Sequence, residues 1–378
     1  MKRKYLMTPG PSPVPSLIRE ALAKEIMHHR TDEFIEILKE TNEGLKYVFC
    51  TRSPVLTFAS SGTGAMEAAV SNFFSAKDKV LVTVGGKFSE RWAEIAKAFG
   101  LEVIEMKIEW ADTPKAEDVK KMLETHKDIK GVLTTLCETS TATVFDVKGI
   151  ATVTKDKNVL LVVDAISGLG QDALATDEWG VDIVVSGSQK GFMLPPGLAF
   201  ISISEKAKNF LKNSTLPKYY FSINKALKAY EKNDTPFTPA VNLIVGLKES
   251  IDLIKKDGIE NMWIRYKKMA EATRDAAEAL GLKVYSKHPS SSVTAIVSPD
   301  GINSKDIVKK MRKDYGISIA AGQGEIEQKI FRIAHMGWIN EQDLIMCFSI
   351  LEKVLREIGY ANFKVGASVA KLQEVFYA

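Results

Sequence analysis

Between residues 55 and 203 the chain alternates short apolar, β-branched runs with stretches whose apolar positions recur at helical spacing. The runs are Val55–Ala59, Lys79–Val84, Glu102–Ile108, Gly131–Leu136, Val159–Val163, Val181–Val185 and Leu198–Ile203. Most are continuously apolar rather than alternating, the pattern of strands covered on both faces. Helical patterns such as Ala65–Phe74 and Glu90–Phe99 fall between them, each closed by a polar or glycine-containing turn. This alternation predicts an α/β fold, a mostly parallel central sheet with helices on both faces. Ligands of such sheets bind beyond the carboxyl ends of the strands, so the loops at those ends are where chemistry is expected.

After Pro239 the pattern changes. Val241–Gly281 reads as one or two long helices, with Leu243, Leu247, Ile251 and Ile254 near helical spacing. Shorter strand-like runs follow at Lys283–Tyr285, Thr294–Val297, Ile317–Ala320 and Lys329–Ile333, with helices at Ser304–Tyr315 and Asn340–Ile358. These predict a smaller C-terminal α+β domain. The expected division is an N-terminal arm over residues 1–20, a large domain over 21–260 and a small domain over 261–378. The tail Phe363–Ala378 places Val369, Leu372 and Phe376 on one helical face, which predicts a docked terminal helix.

Composition narrows the classes. A chain of 378 residues, 45% hydrophobic and 26% charged, is globular and long enough for about two to three domains. Lys+Arg 51 against Asp+Glu 47 leaves +4, which gives no basic footprint for nucleic acid or an acidic membrane. Cys50, Cys137 and Cys347 are too scattered for a disulfide framework or a C-x-x-C site and suit a reducing cytosol. Pro9, Pro11, Pro13 and Pro15 fall where a signal peptide needs its apolar stretch, and no run approaches the roughly 18 apolar residues of a membrane span. The expectation is a cytoplasmic enzyme. His28, His29, His126, His288 and His335 show no metal spacing, so no metal is expected; His28-His29 is read as shaping a substrate pocket or as a helix-end cap.

Three motifs carry chemistry. Ser60-Ser61-Gly62-Thr63-Gly64 follows a strand and opens a helix, where small residues let backbone N–H groups approach an anion and the helix N-terminus favours negative charge. It lacks the Gly-Lys-Ser/Thr ending of a Walker loop, and a plain N-cap with turn glycines is the alternative. Asp164 ends the apolar run Val159–Val163, a costly place for a carboxylate without a partner. Gly168-Leu169-Gly170 behind it only mimics a dinucleotide fingerprint, because it comes after a four-residue loop. Lys190 sits in the loop Ser186-Gly187-Ser188-Gln189-Lys190-Gly191, backed by Pro195-Pro196-Gly197. A constrained, partly desolvated amine loses its proton more easily and becomes a Schiff-base nucleophile. A phosphate cradle, a strand-end carboxylate and a loop lysine are together the parts that hold pyridoxal phosphate.

With these motifs on the page, the chain resembles the class V aminotransferases of the fold type I pyridoxal-phosphate enzymes. It is most similar to their alanine–glyoxylate/serine–pyruvate branch. The resemblance runs nearly end to end: Thr8-Pro9-Gly10-Pro11, His28-His29-Arg30, the three motifs, Thr235-Pro236-Phe237-Thr238-Pro239-Ala240-Val241-Asn242-Leu243 and Phe331-Arg332-Ile333. It implies that Lys190 is the Schiff-base lysine and moves the substrate α-proton, and that Asp164 pairs with the pyridine nitrogen. Ser61, Gly62, Thr63 and Gln189 would hold the phosphate. Thr235 and Thr238 would join the cofactor contacts, Thr238 from the neighbouring subunit of a homodimer. Ser140, in Glu138-Thr139-Ser140-Thr141, would bond the ring hydroxyl region or substrate, and Ile166 would pack on one ring face. Phe88 occupies the position of the stacking aromatic, where many relatives carry Trp or Tyr. Arg332 would clamp the substrate carboxylate bidentately, a task suited to a planar guanidinium.

The implied activity is ping-pong transfer of an amino group from alanine or serine to glyoxylate or pyruvate. Rivals on the same scaffold are an aminotransferase with another donor such as aspartate, an aminoethylphosphonate aminotransferase and lyases such as a cysteine desulfurase or a kynureninase. A desulfurase needs a mobile nucleophilic cysteine, whereas Cys347 lies inside the helical run Ile345–Leu351. A non-catalytic binding subunit that keeps the fold is the rival from another class, and the intact Lys190, Asp164 and Arg332 speak against it.

Overall fold

Seven strands build the central sheet: β1 (Val55–Ser60), β2 (Lys79–Val84), β3 (Glu102–Lys107), β4 (Ile129–Thr135), β5 (Leu160–Asp164), β6 (Ile183–Gly187) and β7 (Gly197–Ile203). Their spatial order is β1-β7-β6-β5-β4-β2-β3, and β7 alone runs antiparallel to its neighbours. The computed structural model describes residues 4–377. Leu160, Leu161, Val162 and Val163 of β5 are fully buried, each contributing about 1.5–3 kcal/mol, and this anchorage is what lets the strand carry Asp164 at its end. β3 departs from the both-faces-covered pattern: it is the sheet edge, and its residues are only half-buried or exposed.

Helices α1 (Gly62–Phe73) and α2 (Lys87–Ala98) each start three residues before the apolar periodicity; side chains from outside the helix take the first-turn N–H groups of α2, whereas the head of α1 has no side-chain cap. The long C-terminal helical pattern divides at Gly258, which takes φ +84°, into α3 (Val241–Asp257) and α4 (Ile259–Ala279). The left-handed conformation is the one glycine adopts without steric cost.

A second sheet, β8 (Val293–Val297), β9 (Ala320–Ala321) and β10 (Ile330–Ala334), is antiparallel in the order β8-β10-β9. Helix α5 (Ser304–Tyr315) packs on it, and α6 (Glu341–Glu357) packs against α5. Two expected strands change. Lys283–Tyr285 forms only an isolated bridge, Val284 with Ile296, and Ile317–Ala320 splits. Ile317–Ser318 pairs in parallel with Tyr5–Leu6, while Ala320 pairs with Arg332. The N-terminal segment therefore starts on this side of the molecule, where Ala334 N donates to Met7 O at 2.9 Å.

Helix α7 (Ala367–Tyr377) docks as the apolar face predicts, with Leu372 and Phe376 buried; Ala378 lies outside the described residues. The Glu352 carboxylate accepts from Gly366 N, Ser368 N and Ser368 Oγ at 2.6–2.9 Å and so satisfies its otherwise orphaned first turn. No helix among the described residues is long and apolar enough to cross a membrane.

Candidate active site

Asp164, Lys190 and the head of α1 meet at the carboxyl ends of β5, β6 and β1. Asp164 Oδ1 accepts the backbone N–H of Ile166 at 2.8 Å. Burial pushes its carboxyl up to about 7, against the lowering effect of that hydrogen bond. Such a group keeps its charge only when a cation joins it.

The Lys190 loop is held from three sides. Ser188 Oγ donates to Pro195 O at 2.7 Å, Ser12 Oγ donates to Lys190 O at 2.8 Å, and Lys190 Nζ donates to Pro9 O. The amine is buried, which brings its pKa down to about 8; Asp164 opposes this shift, and Arg332 and Arg91 add to it. A loop lysine on the surface would show neither the burial nor the backbone ties.

Around α1, Ser61 is the N-cap by position, but its hydroxyl caps nothing and stays exposed. The approach of the surrounding backbone requires glycine: a Cβ on Gly62 would overlap Ile166, and one on Gly187 would come within 3.3 Å of Gly62 N. Gln189 Oε1 is buried without a hydrogen-bond partner. Small residues and an uncapped helix N-terminus thus leave first-turn N–H groups open to an anion.

Arg332, on β10, reaches the same region from the small sheet. Nε and Nη2 donate to Ala321 O at 3.0 and 2.7 Å, and Nη1 donates to Thr139 O at 2.8 Å. Burial lowers its pKa to about 10. Among the described residues no carboxylate lies within ion-pair distance of the guanidinium, so Arg332 is not held in a structural ion pair. A buried cation with only carbonyl partners is costly, and it favours an incoming anion.

Two residues in this region carry no marker in the sequence. Glu138 is fully buried and accepts from Phe88 N, Ser89 N, Ser89 Oγ, Ser140 N and Ser140 Oγ at 2.5–3.2 Å. Arg91 is half-buried on α2; its guanidinium lies 5.2 Å from the Phe88 ring centroid, and Nη1 donates to Thr63 Oγ1 at 3.3 Å. The first was hidden in a motif noticed for Ser140, the second in an ordinary amphipathic helix.

The remaining expectations divide. Ile166 and Phe88 are half-buried beside the cradle and the Glu138 turn. Thr235 and Thr238 do not reach the chain's own Lys190. They line a small cavity of about 30 Å³ with Thr57, Phe58 and Tyr220, on the β1 edge. His28 and His29 stack at 4.7 Å at the surface, and Thr31, not histidine, caps the helix Asp32–Val48 through Phe34 N. Cys347 is fully buried in α6 and its thiol is pushed up to about 12 by burial, which is the opposite of an activated nucleophile.

The fold is an open α/β sheet whose amine, carboxylates and guanidinium groups gather at the carboxyl edge of its parallel strands. The family model described as Aminotransferase class-V matches residues 5–336, and the chain belongs to that family. It is 42% identical to the "Soluble hydrogenase 42 kDa subunit" of Anabaena cylindrica, over 98% of each chain. It is 36% identical to the L-aspartate–glyoxylate aminotransferase of Paracoccus denitrificans, covering 98% of this chain and 95% of that one. The crystal structure of the alanine–glyoxylate aminotransferase of a Nostoc species superposes with a TM-score of 0.91 at 28% identity, covering 94% of this chain and 96% of that one. The architecture is that of the fold type I aminotransferases.

Proposed function

We propose that the protein is a pyridoxal-phosphate-dependent aminotransferase that moves an amino group from a small amino acid to a 2-oxo acid in two half-reactions. Glyoxylate or pyruvate is the acceptor, and alanine or serine the donor. The observation that carries this reading is the buried Lys190 amine, which feels the charges of both Asp164 and the unpaired Arg332. The amine, the strand-end carboxylate and the guanidinium are thereby neighbours in one buried region. The Paracoccus relative keeps aspartate open as a donor, and the Nostoc one supports alanine.

The residues present fit the cofactor. The uncapped α1 N-terminus is open to a phosphate, and glycines at 62 and 187 let Ile166 and the Gln189 side chain pack closely around it. Ser61, Gly62, Thr63 and Gln189 would hold the phosphate. Pyridoxal phosphate, when bound, supplies an electron-accepting ring that stabilises negative charge at the substrate Cα.

Every other element of the mechanism belongs to the chain. Asp164, short of a counter-charge, would hold the proton on the ring nitrogen, and that proton in turn keeps the carboxylate ionised. Ile166 and Phe88 would fix the ring plane from opposite faces. Arg332 would orient the substrate α-carboxylate with its free N–H groups. Lys190 Nζ, with its pKa down near 8, is basic enough to take the proton from the substrate Cα and acidic enough to return it.

Thr238 is exposed and lines a cavity that does not include Lys190, which suits a contact made with the site of a second subunit. We therefore read the active unit as a homodimer, and sedimentation should show one. The function is tested with a panel of donors against glyoxylate and pyruvate. Amino transfer with parallel-line kinetics is expected, and borohydride should trap cofactor on Lys190 and leave Lys190→Ala unlabelled. No transfer from any donor, or a label on another lysine, overturns the reading.

A further inference from the structure

The Glu138–Ser140 turn joins three parts of the site. Thr139 O holds Arg332 Nη1 at 2.8 Å, and Thr139 Oγ1 donates to Ser167 Oγ at 2.7 Å, in the loop after Asp164. Glu138 faces α2. Its carboxylate takes the N–H groups of Phe88 and Ser89, and Lys87 N donates to Ser140 Oγ at 3.1 Å. The first-turn donors of α2, which its own helix leaves unpaired, are thus satisfied from a different strand. A carboxylate there also has the sign that a helix N-terminus favours.

Gly86 confirms how closely these groups are fitted. It is in extended backbone, so it is not needed for its φ angle. A Cβ there would come within 2.5 Å of Ser140 Oγ and 2.6 Å of the Glu138 carboxyl carbon.

We infer that Glu138 is a positioning residue that fixes Phe88 and orients the Ser140 hydroxyl for the bound ligands. A hydroxyl has one proton, and that of Ser140 goes to Glu138 Oε1 at 2.5 Å, since an ionised carboxylate can only accept. Lys87 N occupies one lone pair of Ser140 Oγ. Toward the pocket, Ser140 is left as an acceptor and not a donor, so it bonds a group that brings its own proton: a ring hydroxyl or a substrate ammonium. The Phe88 ring is fixed because the backbone of the residue that carries it is tied to the same carboxylate. The roles of Phe88 and Ser140 rest on the function proposed above; the Glu138 anchorage is new to it.

The test uses the holoenzyme and the variants Glu138→Gln, Ser140→Ala and their combination. The glutamine places an NH₂ against donors and can donate to Ser140 Oγ, which reverses the polarity of that hydroxyl. The expected result is a kcat loss of about tenfold or more, with altered visible circular dichroism of the bound cofactor, in the soluble and folded variant. Ser140→Ala should cost little further once Glu138 is changed, because the two act as one unit. If Glu138→Gln does not fold, Gly86→Ala decides: it leaves Glu138 in the chain but displaces it, and should reproduce both effects. Additive losses, or kcat within threefold of wild type with an unchanged dichroism spectrum, would overturn the inference. A wild-type protein without amino transfer would instead remove the proposed function and leave the geometry untouched.

Discussion

Ser12 Oγ donates to the backbone carbonyl of Lys190 at 2.8 Å across 178 positions of sequence. Ser12 N also donates to Gln189 O at 2.9 Å, and Lys190 Nζ donates to Pro9 O. The N-terminal segment therefore runs from Tyr5 and Leu6, which pair with Ile317 and Ser318, to the loop that carries Lys190. It is part of the site and not a loose extension.

Gly10 lies where this segment passes Lys190, at φ +100°, and a Cβ there would overlap the lysine Nζ. Gly10→Ala should displace the amine and lower kcat by more than tenfold, through both the steric overlap and the strained φ of a non-glycine residue. Kinetics with alanine and glyoxylate, beside a melting curve showing a folded protein, would check this. Turnover near wild type would refute it.

Asp164 and Lys190 set opposite pH trends in the apoprotein. Asp164 rises from 3.8 to about 7 on folding, so its stabilisation is full below pH 3.8 and disappears as pH climbs through 7. Lys190 falls from 10.5 to about 8, so its penalty is full below 8 and is relieved as pH approaches 10.5. Asp164→Asn should therefore raise the melting temperature of the apoprotein at about pH 8 and leave it unchanged near pH 4. The same variant should bind cofactor and lose most activity, because the amide does not hold the ring proton. A gain in stability with activity retained would contradict the assigned role.

Arg332→Lys keeps the charge but loses the planar fork and the grip on Ala321 O and Thr139 O. Hydrogen bonds to charged groups are worth about 1.5–3 kcal/mol, so KM for the amino donor should rise roughly 10- to 100-fold. Cofactor affinity, read by absorbance titration, should hardly change. Equal losses in both would place the arginine elsewhere.

Arg91 is the cation tied to the cradle threonine, Thr63. A cofactor phosphate carries close to two negative charges, and the neutral donors of the cradle do not balance them. Arg91→Gln should weaken pyridoxal phosphate binding about tenfold and leave binding of pyridoxal, which lacks the phosphate, unchanged. A parallel loss for both ligands, or none for either, would rule out this pairing.

Most strands of the central sheet were legible because strands covered on both faces are continuous apolar runs, and Asp164 stood out because a charge ends such a run. Lys190 was visible for a related reason: a charged residue in a Gly/Ser/Pro loop has no surface-helix explanation. Lys283–Tyr285 misled because a strand needs a partner along its length, and the fold gives Val284 a single bridge.

What the sequence by itself determined is thus the α/β architecture and the position of Asp164 at a strand end and of Lys190 in the loop after the next strand. These follow from short-range rules of periodicity and from the cost of burying charge. The tertiary structure alone decided which backbone atoms those groups meet. Glu138 is one of many glutamates until the short strand Cys137–Glu138, just after β4, brings it under the head of α2. Arg91 is a helix-surface arginine until it faces Thr63, and Arg332 is unpaired only because the small sheet holds it against carbonyl groups. Burial and hydrogen-bond partnership are properties of residues distant in sequence, and no local pattern specifies them.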